Sequence, residues 1–392
     1  MVFILKEQSE KSPGIAVFSH KEFKKYSNYK VFNLILKKLS NDFYFGVHWG
    51  DSFQNTEQFN FDNIDINFCY PEQLPELEKK EILNIPLTTR SFIPSSIFYP
   101  RKDVEKEFDL IAVTRKDKKK YNLDLFLICS LLIKNNPKIK ILICVSHPNY
   151  RKQTYDFLFT EFFNEILGSF VNKNIFLKEY TKPPNQDEIS IFLNKSKVFL
   201  FTSRKEGVAK VTAEAALCNL PVVMYKNFFG SANRGINKKH LYYYDSIDSA
   251  YDVISNILAE YNIEENVFTN ELIDEHNYLE LKNLLKEYYL LKNKIFIDEL
   301  DLDDLKNRLN SFKQDLPKKF VKNNNILKNL FALKKFFEYK INRKIQVSDI
   351  LIFKSLVLDK KISLNFKNII FKITPIFIIK IIRRKKKKSY NF

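Results

Sequence analysis

The stretch FTSRKEGVAKVTAEAALCNLPVVMY, residues 201–225, decides the fold class and points to a ligand site. An apolar run ends at Thr202, a short loop holds Ser203 to Gly207, and a helical pattern begins near Val208. A turn from strand to helix at the carboxyl edge of a parallel sheet is where such sheets bind ligands. The free N–H groups and positive dipole end of the helix suit a diphosphate. Gly207 would let the backbone approach that ligand closely.

Two carboxylates mark this turn. Glu206 precedes Glu214 by eight residues, which places Glu214 two turns into the helix, on the face that Glu206 approaches. Carboxylates accept hydrogen bonds from paired hydroxyls, so one is predicted to meet a sugar and the other a ribose. Asn219 stands where the helix should end, a position at which Asn tolerates left-handed backbone. The alternative is that both glutamates are ordinary solvent-facing charges.

Regular alternation surrounds the stretch from about residue 108 onward. Apolar runs without internal polar residues indicate strands buried on both faces, as in a parallel sheet. Strand and helix repeated in this way predict a doubly wound α/β domain. The predicted strands are Phe108–Val113, Ile139–Val145, Ile175–Leu177, Val198–Phe201 and Pro221–Tyr225, and the predicted helices lie near 121–136, 151–168, 187–195, 208–218 and 246–260.

The first hundred residues predict a smaller α/β unit. Strands at Ile15–Ser19 and Phe43–Val47 would flank a helix at 21–39, and Ile64–Cys69 would add a third strand. Phe92–Pro100, with two prolines and two serines, is typical of a linker. The predicted domains are a small α/β domain at 1–105, a doubly wound domain at 106–262, a helical extension at 263–368 and a tail at 369–392.

Charge is concentrated at the C-terminal end. The 392-residue chain has a net charge of +18, and residues 317–392 hold 21 basic and 3 acidic residues. The remaining residues contain equal numbers of each sign, so the basicity does not belong to the α/β body. Nucleic-acid binding by the whole protein therefore loses its main support.

The tail combines apolar and basic sequence. Residues 369–388 read IIFKITPIFIIKIIRRKKKK, too short and too interrupted to span a bilayer comfortably. An apolar segment beside a basic cluster predicts peripheral binding to anionic lipid. A chain lacking residues 369–392 should then no longer sediment with liposomes. A disordered basic tail is the alternative. The basic cluster is Arg383, Arg384, Lys385, Lys386, Lys387 and Lys388.

The cysteines predict neither zinc binding nor disulfides. Four are widely spaced, without a Cys-x-x-Cys pair or a Cys/His cluster, and are interpreted as buried free thiols. The apolar run Val2 to Leu5 has only four residues before polar sequence, so no signal peptide is recognised. The expected location is cytoplasmic, with a peripheral position at the inner face of the membrane as the variant that the tail would favour.

The motif at residues 206–223 resembles glycosyltransferase group 1, also called family 4, of the GT-B fold. That family has Glu, seven residues, Glu and Ala, then a closing Gly-x-Pro-Val-Val. Asn219 replaces the usual Gly, Val208 and Ala209 stand where Phe-Gly is common, and Lys210 replaces an apolar residue. The matching residues are Glu206, Gly207, Glu214, Ala215, Pro221, Val222 and Val223.

Two upstream segments extend the resemblance over about residues 90 to 260. FIPSSIFYP at 92–100 is similar to a shortened interdomain segment of the family, and FDLIAVTRKDKKKY at 108–121 is similar to its next strand and Gly-Arg … Lys turn. The Arg falls on Arg115 and the Lys on Lys120, with Lys119 as an alternative register and Thr114 in place of the Gly. A solvated charged turn is the competing interpretation.

The resemblance implies α/β architecture of the GT-B type, with two Rossmann-like doubly wound domains facing a cleft, plus the helical basic extension. It implies sugar transfer from a nucleotide sugar to a glycan or lipid-linked acceptor in polysaccharide or glycoconjugate biosynthesis. Hexosyl transfer with retention, without metal or other cofactor, is expected. Alternatives are an inactive GT-B-like adaptor and a basic nucleic-acid-binding protein. The implied catalytic residues are Arg115, Lys120 and Glu206, and the implied donor-binding residues are these three with Gly207, Val208, Ala209, Lys210 and Glu214.

Two histidines of the N-terminal half are further candidates. His20 follows a predicted strand, and His48 lies in GVHWGD. Either could face the cleft, as a histidine does in some relatives, although an ordinary core or surface position is favoured.

Overall fold

The computed structural model describes residues 2–48, 63–69, 82–117, 120–146, 154–182, 184–207, 209–262, 266–296, 300–301, 303, 333 and 335–338. The chain divides into two compact units. Both sheets belong to the unit formed by Met1–Phe23, Asn41–Phe59 and Ile64–Asp315. The other unit comprises Lys24–Ser40, Asn60–Asn63 and Leu316–Phe392, and its main described element is a helix at Lys30–Leu39. The predicted domain boundaries stay predictions.

The N-terminal sheet has five strands in the order β1-β2-β3-β4-β5. β1 is antiparallel to β2, while β2 to β5 are parallel and follow one another in chain order. Every residue of β3 is buried, which explains its unbroken apolar sequence. The predicted strands at 15–19, 43–47 and 64–69 are confirmed within a residue or two. The strands are β1 Val2–Lys6, β2 Gly14–Ser19, β3 Phe43–His48, β4 Ile66–Phe68 and β5 Leu83–Ile85.

The single helix predicted at 21–39 is wrong, because two helices occupy this stretch. α1 spans His20–Tyr26 and α2 spans Lys30–Leu39. Tyr29 adopts extended backbone, with φ −91° and ψ 122°, which interrupts the helical hydrogen bonds between them.

The second sheet has six parallel strands in the order β11-β10-β9-β6-β7-β8. Strand order reverses between β6 and β9, so this sheet is doubly wound as predicted. All five predicted strands are present, and β11 is an addition. The strands are β6 Phe108–Arg115, β7 Ile141–Ser146, β8 Ile175–Tyr180, β9 Ser196–Phe201, β10 Val222–Tyr225 and β11 Leu241–Tyr244.

Helices cover both faces of this sheet. Alternate strand residues point to opposite sides: Leu110 and Val198 pack with α3, α4 and α7, whereas Ile111 and Phe199 pack with α5 and α6. This two-sided burial is what the unbroken apolar runs predict, and it confirms the α/β fold class with parallel-rich sheets. The helices are α3 Asn122–Asn135, α4 Thr154–Leu167, α5 Gln186–Asn194, α6 Lys210–Leu217 and α7 Ile247–Ala259.

One further helix, α8 at Asp274–Leu291, lies in the predicted helical extension and returns to the N-terminal sheet. Leu281, Leu285 and Tyr289 join the apolar cluster formed by the sheet residues Ile15 and Ile66, among others. The Tyr289 hydroxyl also donates to the Pro13 carbonyl at 2.6 Å. The second half of the chain thus supplies part of the cover for the first sheet.

All four cysteines, Cys69, Cys129, Cys144 and Cys218, are free and buried, which confirms their interpretation as buried free thiols. Burial raises the pKa of the Cys144 thiol to about 12, so this thiol stays protonated.

Across the part of the chain that the structure describes, no helix combines the length and apolarity needed to cross a membrane. The basic cluster at 383–388 lies outside the described residues.

Candidate donor site at the reversal of strand order

The two candidate segments leave neighbouring strands. β6 ends at Arg115 and β9 ends at Phe201, and these strands pair at the reversal of strand order. Their connections diverge to opposite faces of the sheet, α3 on one and α6 on the other. Such a reversal opens a crevice at the carboxyl edge of a doubly wound sheet. Both segments implied by the resemblance therefore begin at one crevice.

Alternate residues after β9 hold the loop after β6. The Thr202 hydroxyl donates to the Lys120 carbonyl at 2.9 Å, and Arg204 donates to the Asp124 carboxylate at 2.8 Å. Lys120 Nζ lies 2.6 and 2.7 Å from the two carboxylate oxygens of Glu206. Residues 202, 204 and 206 therefore all contact the loop after β6 or the start of α3. The structure thus brings together two predicted site residues that are far apart in sequence.

The Lys120–Glu206 ion pair is shielded from solvent. The exposed fractions are 14% for the Lys120 side chain and 26% for Glu206. An ion pair in such a setting interacts more strongly than a fully exposed one, because less water screens it. The lysine ammonium also lies 6.0 Å from the centre of the Phe201 ring. This pair is the centre of the candidate site.

Arg115 stands at the carboxyl end of β6, on the same strand connection as Lys120. Its side chain is 40% exposed, and its guanidinium approaches the Asp117 carboxylate at 3.4 Å. Asn122 fixes the bend beneath it, donating to the Arg115 carbonyl at 2.9 Å and accepting from Thr114 at 2.8 Å. The backbone is therefore fixed while the charged head is left accessible to an anion. Lys119 lies outside the described residues.

Arg204 is a site feature that the sequence reasoning missed. Its guanidinium lies between the rings of Tyr121 and Tyr225, at 4.6 and 4.5 Å from their centres. Tyr121 takes left-handed backbone, with φ 51°, at the start of α3. Stacking together with the Asp124 contact holds the loop that carries Lys120. The alternation of Thr202, Arg204 and Glu206 after a strand was the signal available.

A second loop supports Glu206 from behind. The Glu206 N–H donates to the Phe229 carbonyl at 3.1 Å, and the Phe229 N–H donates to the Arg204 carbonyl at 2.9 Å. The Ser231 hydroxyl donates to the Gly207 carbonyl at 2.8 Å. Gly230, between them, has φ +137°, and a Cβ there would lie 1.7 Å from the Glu206 carbonyl oxygen. The position of Glu206 therefore depends on a glycine that sequence reasoning did not select.

The predicted helix follows, two residues later than expected. α6 begins at Lys210 with Ala209 as its N-cap residue, and Val208 lies outside the described residues. Glu214 is partly buried in the helix, and burial raises the pKa of its carboxyl to about 7, although Lys210 and Arg90 oppose that shift. No described residue donates a hydrogen bond to this carboxylate, so its oxygens are available to a ligand's hydroxyl groups.

Arg90 approaches α6 from the segment between the two sheets. It lies in a short 3₁₀ helix at Thr89–Phe92 and is 3% exposed. Burial lowers the pKa of its guanidinium to about 9, so the group remains charged near neutral pH. Arg90 lies just before the predicted linker at 92–100, and sequence reasoning did not select it. Its hydrogen-bond acceptors are Ala209, Thr212, Ala232 and Arg234.

The two candidate histidines are buried in the structure. His20 is 6% exposed and His48 is 2% exposed, at the carboxyl ends of the paired strands β2 and β3. Burial, followed by the positive fields of His20 and Lys210, lowers the pKa of His48 to about 3. His48 is therefore neutral at physiological pH.

Metal ligands were not predicted for this site. Within the described ranges, no group of three or more His, Cys, Asp and Glu side chains is placed to hold a metal ion.

Comparison with known proteins gives structural similarities only. No protein-family model matches the chain, and no curated protein sequence matches it. The C-terminal domain of a glycosyl transferase group 1 family protein (LpcC) from Francisella tularensis is similar at 14% identity and a TM-score of 0.37, covering 52% of this chain and 100% of that one. Sucrose-phosphate synthase from Thermosynechococcus elongatus is similar at 13% identity and a TM-score of 0.47, covering 64% and 69%.

A third similar structure is the pneumococcal O-GlcNAc transferase GtfA in complex with UDP and GlcNAc. It shares 14% identity and a TM-score of 0.46, and the match covers 65% of this chain and 54% of that one. This chain thus spans about half the length of that transferase.

Proposed function

We propose that this chain is a glycosyltransferase that takes a sugar from a nucleotide-sugar donor bound at the carboxyl edge of the second sheet. One observation carries the proposal: Lys120 and Glu206, from the loops after β6 and β9, meet at 2.6 Å where strand order reverses. Glycosyl transfer needs a cation at the departing diphosphate and an acceptor for sugar hydroxyls beside it. This pair supplies both at the crevice where such sheets bind ligands.

The remaining site residues fit around that pair. Arg115, with its accessible head, and Lys120 would neutralise the diphosphate as charge develops on it. Glu206 would bind the sugar, and Glu214 would accept hydrogen bonds from the ribose. The backbone of Gly207, Val208, Ala209 and Lys210 at the start of α6 would complete the diphosphate contacts.

Donor binding would rearrange the central ion pair. In the structure, Lys120 and Glu206 satisfy one another. A bound donor would supply phosphate oxygens to the ammonium and a hydroxyl group to the carboxylate. The pair therefore keeps both charged groups in place until the donor replaces one contact with two.

Finer features belong to the same proposal. We expect a hexosyl donor, retention at the anomeric carbon and no metal requirement, with a glycan or lipid-linked acceptor in polysaccharide or glycoconjugate biosynthesis. The transition state would have oxocarbenium character, as in glycoside hydrolysis. A peripheral position at the inner face of a membrane, through the basic cluster at 383–388, would bring the enzyme to a lipid-linked acceptor.

Thermal stabilisation of the purified full chain by nucleoside diphosphates and nucleotide sugars tests the proposal. Ligand at about a hundred times its Kd stabilises the native state by about 2.7 kcal/mol, which raises Tm measurably. We expect a shift with one nucleotide class, lost in Glu214→Ala and retained in Glu161→Ala, an exposed glutamate on α4. The absence of a shift with every nucleotide would favour the inactive adaptor.

Affinity for the nucleotide sugar is expected to increase with pH between 6 and 8. The pKa of Glu214 lies near 7, so its carboxyl is mostly protonated at the lower end of this range and ionised at the upper end. An ionised carboxylate accepts hydroxyl hydrogen bonds more strongly, so Kd should fall about tenfold over the range. Isothermal titration calorimetry at three pH values would measure it.

The matched control for this pH dependence is Glu214→Gln, which keeps the shape and cannot ionise. A nucleotide sugar is used because its phosphates are diesters and do not titrate in this range. Arg90, with a pKa of about 9, and the neutral His48 keep their charge states throughout it. An equal pH dependence in Glu214→Gln would assign the effect to another group.

A further inference from the structure

One buried arginine ties three segments together beside the candidate site. Arg90 comes from the segment that joins the two sheets, and its Nη1 donates to the carbonyl of Ala209 and, at 2.6 Å, to the hydroxyl of Thr212. Its Nη2 donates to the carbonyls of Ala232 and Arg234 at 3.0 and 2.8 Å, and its Nε donates to the latter at 3.2 Å. The guanidinium thus directs its donors at the start of α6 and at the loop after β10.

Both of these segments carry parts of the candidate site. Ala209 is the N-cap residue of α6, directly before Lys210 and one turn before Glu214. The loop containing Ala232 also holds Gly207, through the hydrogen bond from Ser231 at 2.8 Å. A displacement of Arg90 would therefore release the backbone on both sides of the predicted diphosphate contacts.

The chemistry of this contact requires arginine. A guanidinium presents five donors in a rigid plane, whereas an ammonium presents three on one atom. The four acceptors, three carbonyls and a hydroxyl, lie on two segments. The three donors of a lysine ammonium, all on one atom, could not reach all of them. The Thr212 hydroxyl adds to the junction, lying 2.9 Å from the Ala209 carbonyl and 2.6 Å from that of Ala232.

We infer that Arg90 is a positioning residue of the donor site, which fixes the start of α6 so that its backbone N–H groups and Glu214 meet the nucleotide. The inference rests on the proposed function for its ligand, while the effect on α6 stands independently. If Arg90 served only to stabilise the fold, replacing Asn277 of α8, which holds the same segment, should have the same effects as replacing Arg90. The Asn277 amide donates to the Ser91 and Glu271 carbonyls at 2.8 and 2.9 Å and anchors the same segment away from α6.

Hydrogen exchange and nucleotide binding test the inference in the full chain. In Arg90→Lys, exchange of the backbone N–H groups of residues 209–217 should become about tenfold faster, because local opening becomes easier. Its Kd for the nucleotide that stabilises the wild type should rise about tenfold, the scale of one lost hydrogen bond to a charged group. Asn277→Ala should lower Tm while leaving both quantities within about twofold of the wild type.

The other outcomes separate the two proposals. Equal changes in Arg90→Lys and Asn277→Ala, or no local change in Arg90→Lys, would overturn the positioning role. If exchange at 209–217 is faster in Arg90→Lys but even the wild type binds no nucleotide, Arg90 still fixes the start of α6. The proposed function would then be overturned. If Arg90→Lys does not fold, Thr212→Val decides by the same two measurements, because it removes the hydroxyl at the junction and keeps the side-chain shape.

Discussion

Replacing Lys120 with methionine is expected to slow the release of nucleoside diphosphate from the donor about a hundred- to a thousandfold, the cost of removing one preorganised group that stabilises developing charge. Methionine keeps most of the length of the side chain and removes the ammonium, which lies 2.6 Å from Glu206. The lost charge matters most in the transition state, when the diphosphate departs, so kcat should fall more than KM rises. Nucleoside diphosphate released by slow donor hydrolysis can be followed without knowing the acceptor.

Lys205→Met is the matched control for Lys120→Met. Lys205 lies on the same loop, next to Glu206, but it is exposed and its ammonium lies 5.0 Å from the centre of the Phe229 ring. The rate of nucleoside diphosphate release by Lys205→Met should fall less than about threefold, as expected of a surface charge that solvent and salt screen. A Lys120→Met enzyme as fast as the Lys205→Met enzyme would contradict the assignment of Lys120 to the diphosphate.

The double variant Lys120→Met with Glu206→Gln separates catalysis from ion pairing. Removing Lys120 alone leaves Glu206 as an unpaired, partly buried charge, which destabilises the protein. Adding Glu206→Gln should restore Tm toward the wild type because that charge is gone. It should not restore turnover, since the cation at the diphosphate and the carboxylate at the sugar are both missing.

The second sheet was predictable because its strands are buried on both faces. Phe199 and Val198 face opposite helical layers and both are fully buried, so the sequence has to be apolar at every position. β11 at Leu241–Tyr244 escaped prediction because only Tyr244 of its four residues is buried, so it lacks the unbroken aliphatic run of the central strands. β5 at Leu83–Ile85 has three residues, too few for a periodic signal.

The site could be predicted only where a local pattern points to a strand end. Lys120 and Glu206 each follow a predicted strand, and neighbouring parallel strands bring their carboxyl ends together. Arg90 gave no such signal, because its hydrogen bond with Ala209 joins residues 119 positions apart. A charged residue in a linker-like segment is ordinarily exposed, and only the carbonyls that converge on it make its burial tolerable.

Gly230→Ala is expected to lower the free energy of unfolding by about 2–5 kcal/mol, combining backbone strain with steric overlap. The backbone of Gly230, at φ +137°, is a conformation that residues with a Cβ rarely adopt. The added methyl would lie 1.7 Å from the Glu206 carbonyl oxygen and 2.9 Å from its carbonyl carbon. Since both atoms belong to backbone, relief requires the loop to move rather than a side chain to rotate.

Movement of that loop would also disturb the centre of the site. Glu206 is held by the Phe229 carbonyl, and Gly207 by Ser231, so a shift at residue 230 pulls on both. The Lys120–Glu206 pair depends on that backbone position, and turnover should therefore fall even at a temperature where the variant is fully folded. Urea unfolding gives the stability change, and donor hydrolysis at low temperature gives the activity change.

Gly168→Ala supplies the control for Gly230→Ala. Among the described residues, the nearest neighbour of a Cβ at Gly168 would be the Asn164 Cβ at 3.9 Å, an ordinary van der Waals contact. We expect its stability to stay within about 1 kcal/mol of the wild type and its activity to be unchanged. Equal stability of the two variants would show that the loop after β10 adapts to a side chain, and that Glu206 is not held by the glycine behind it.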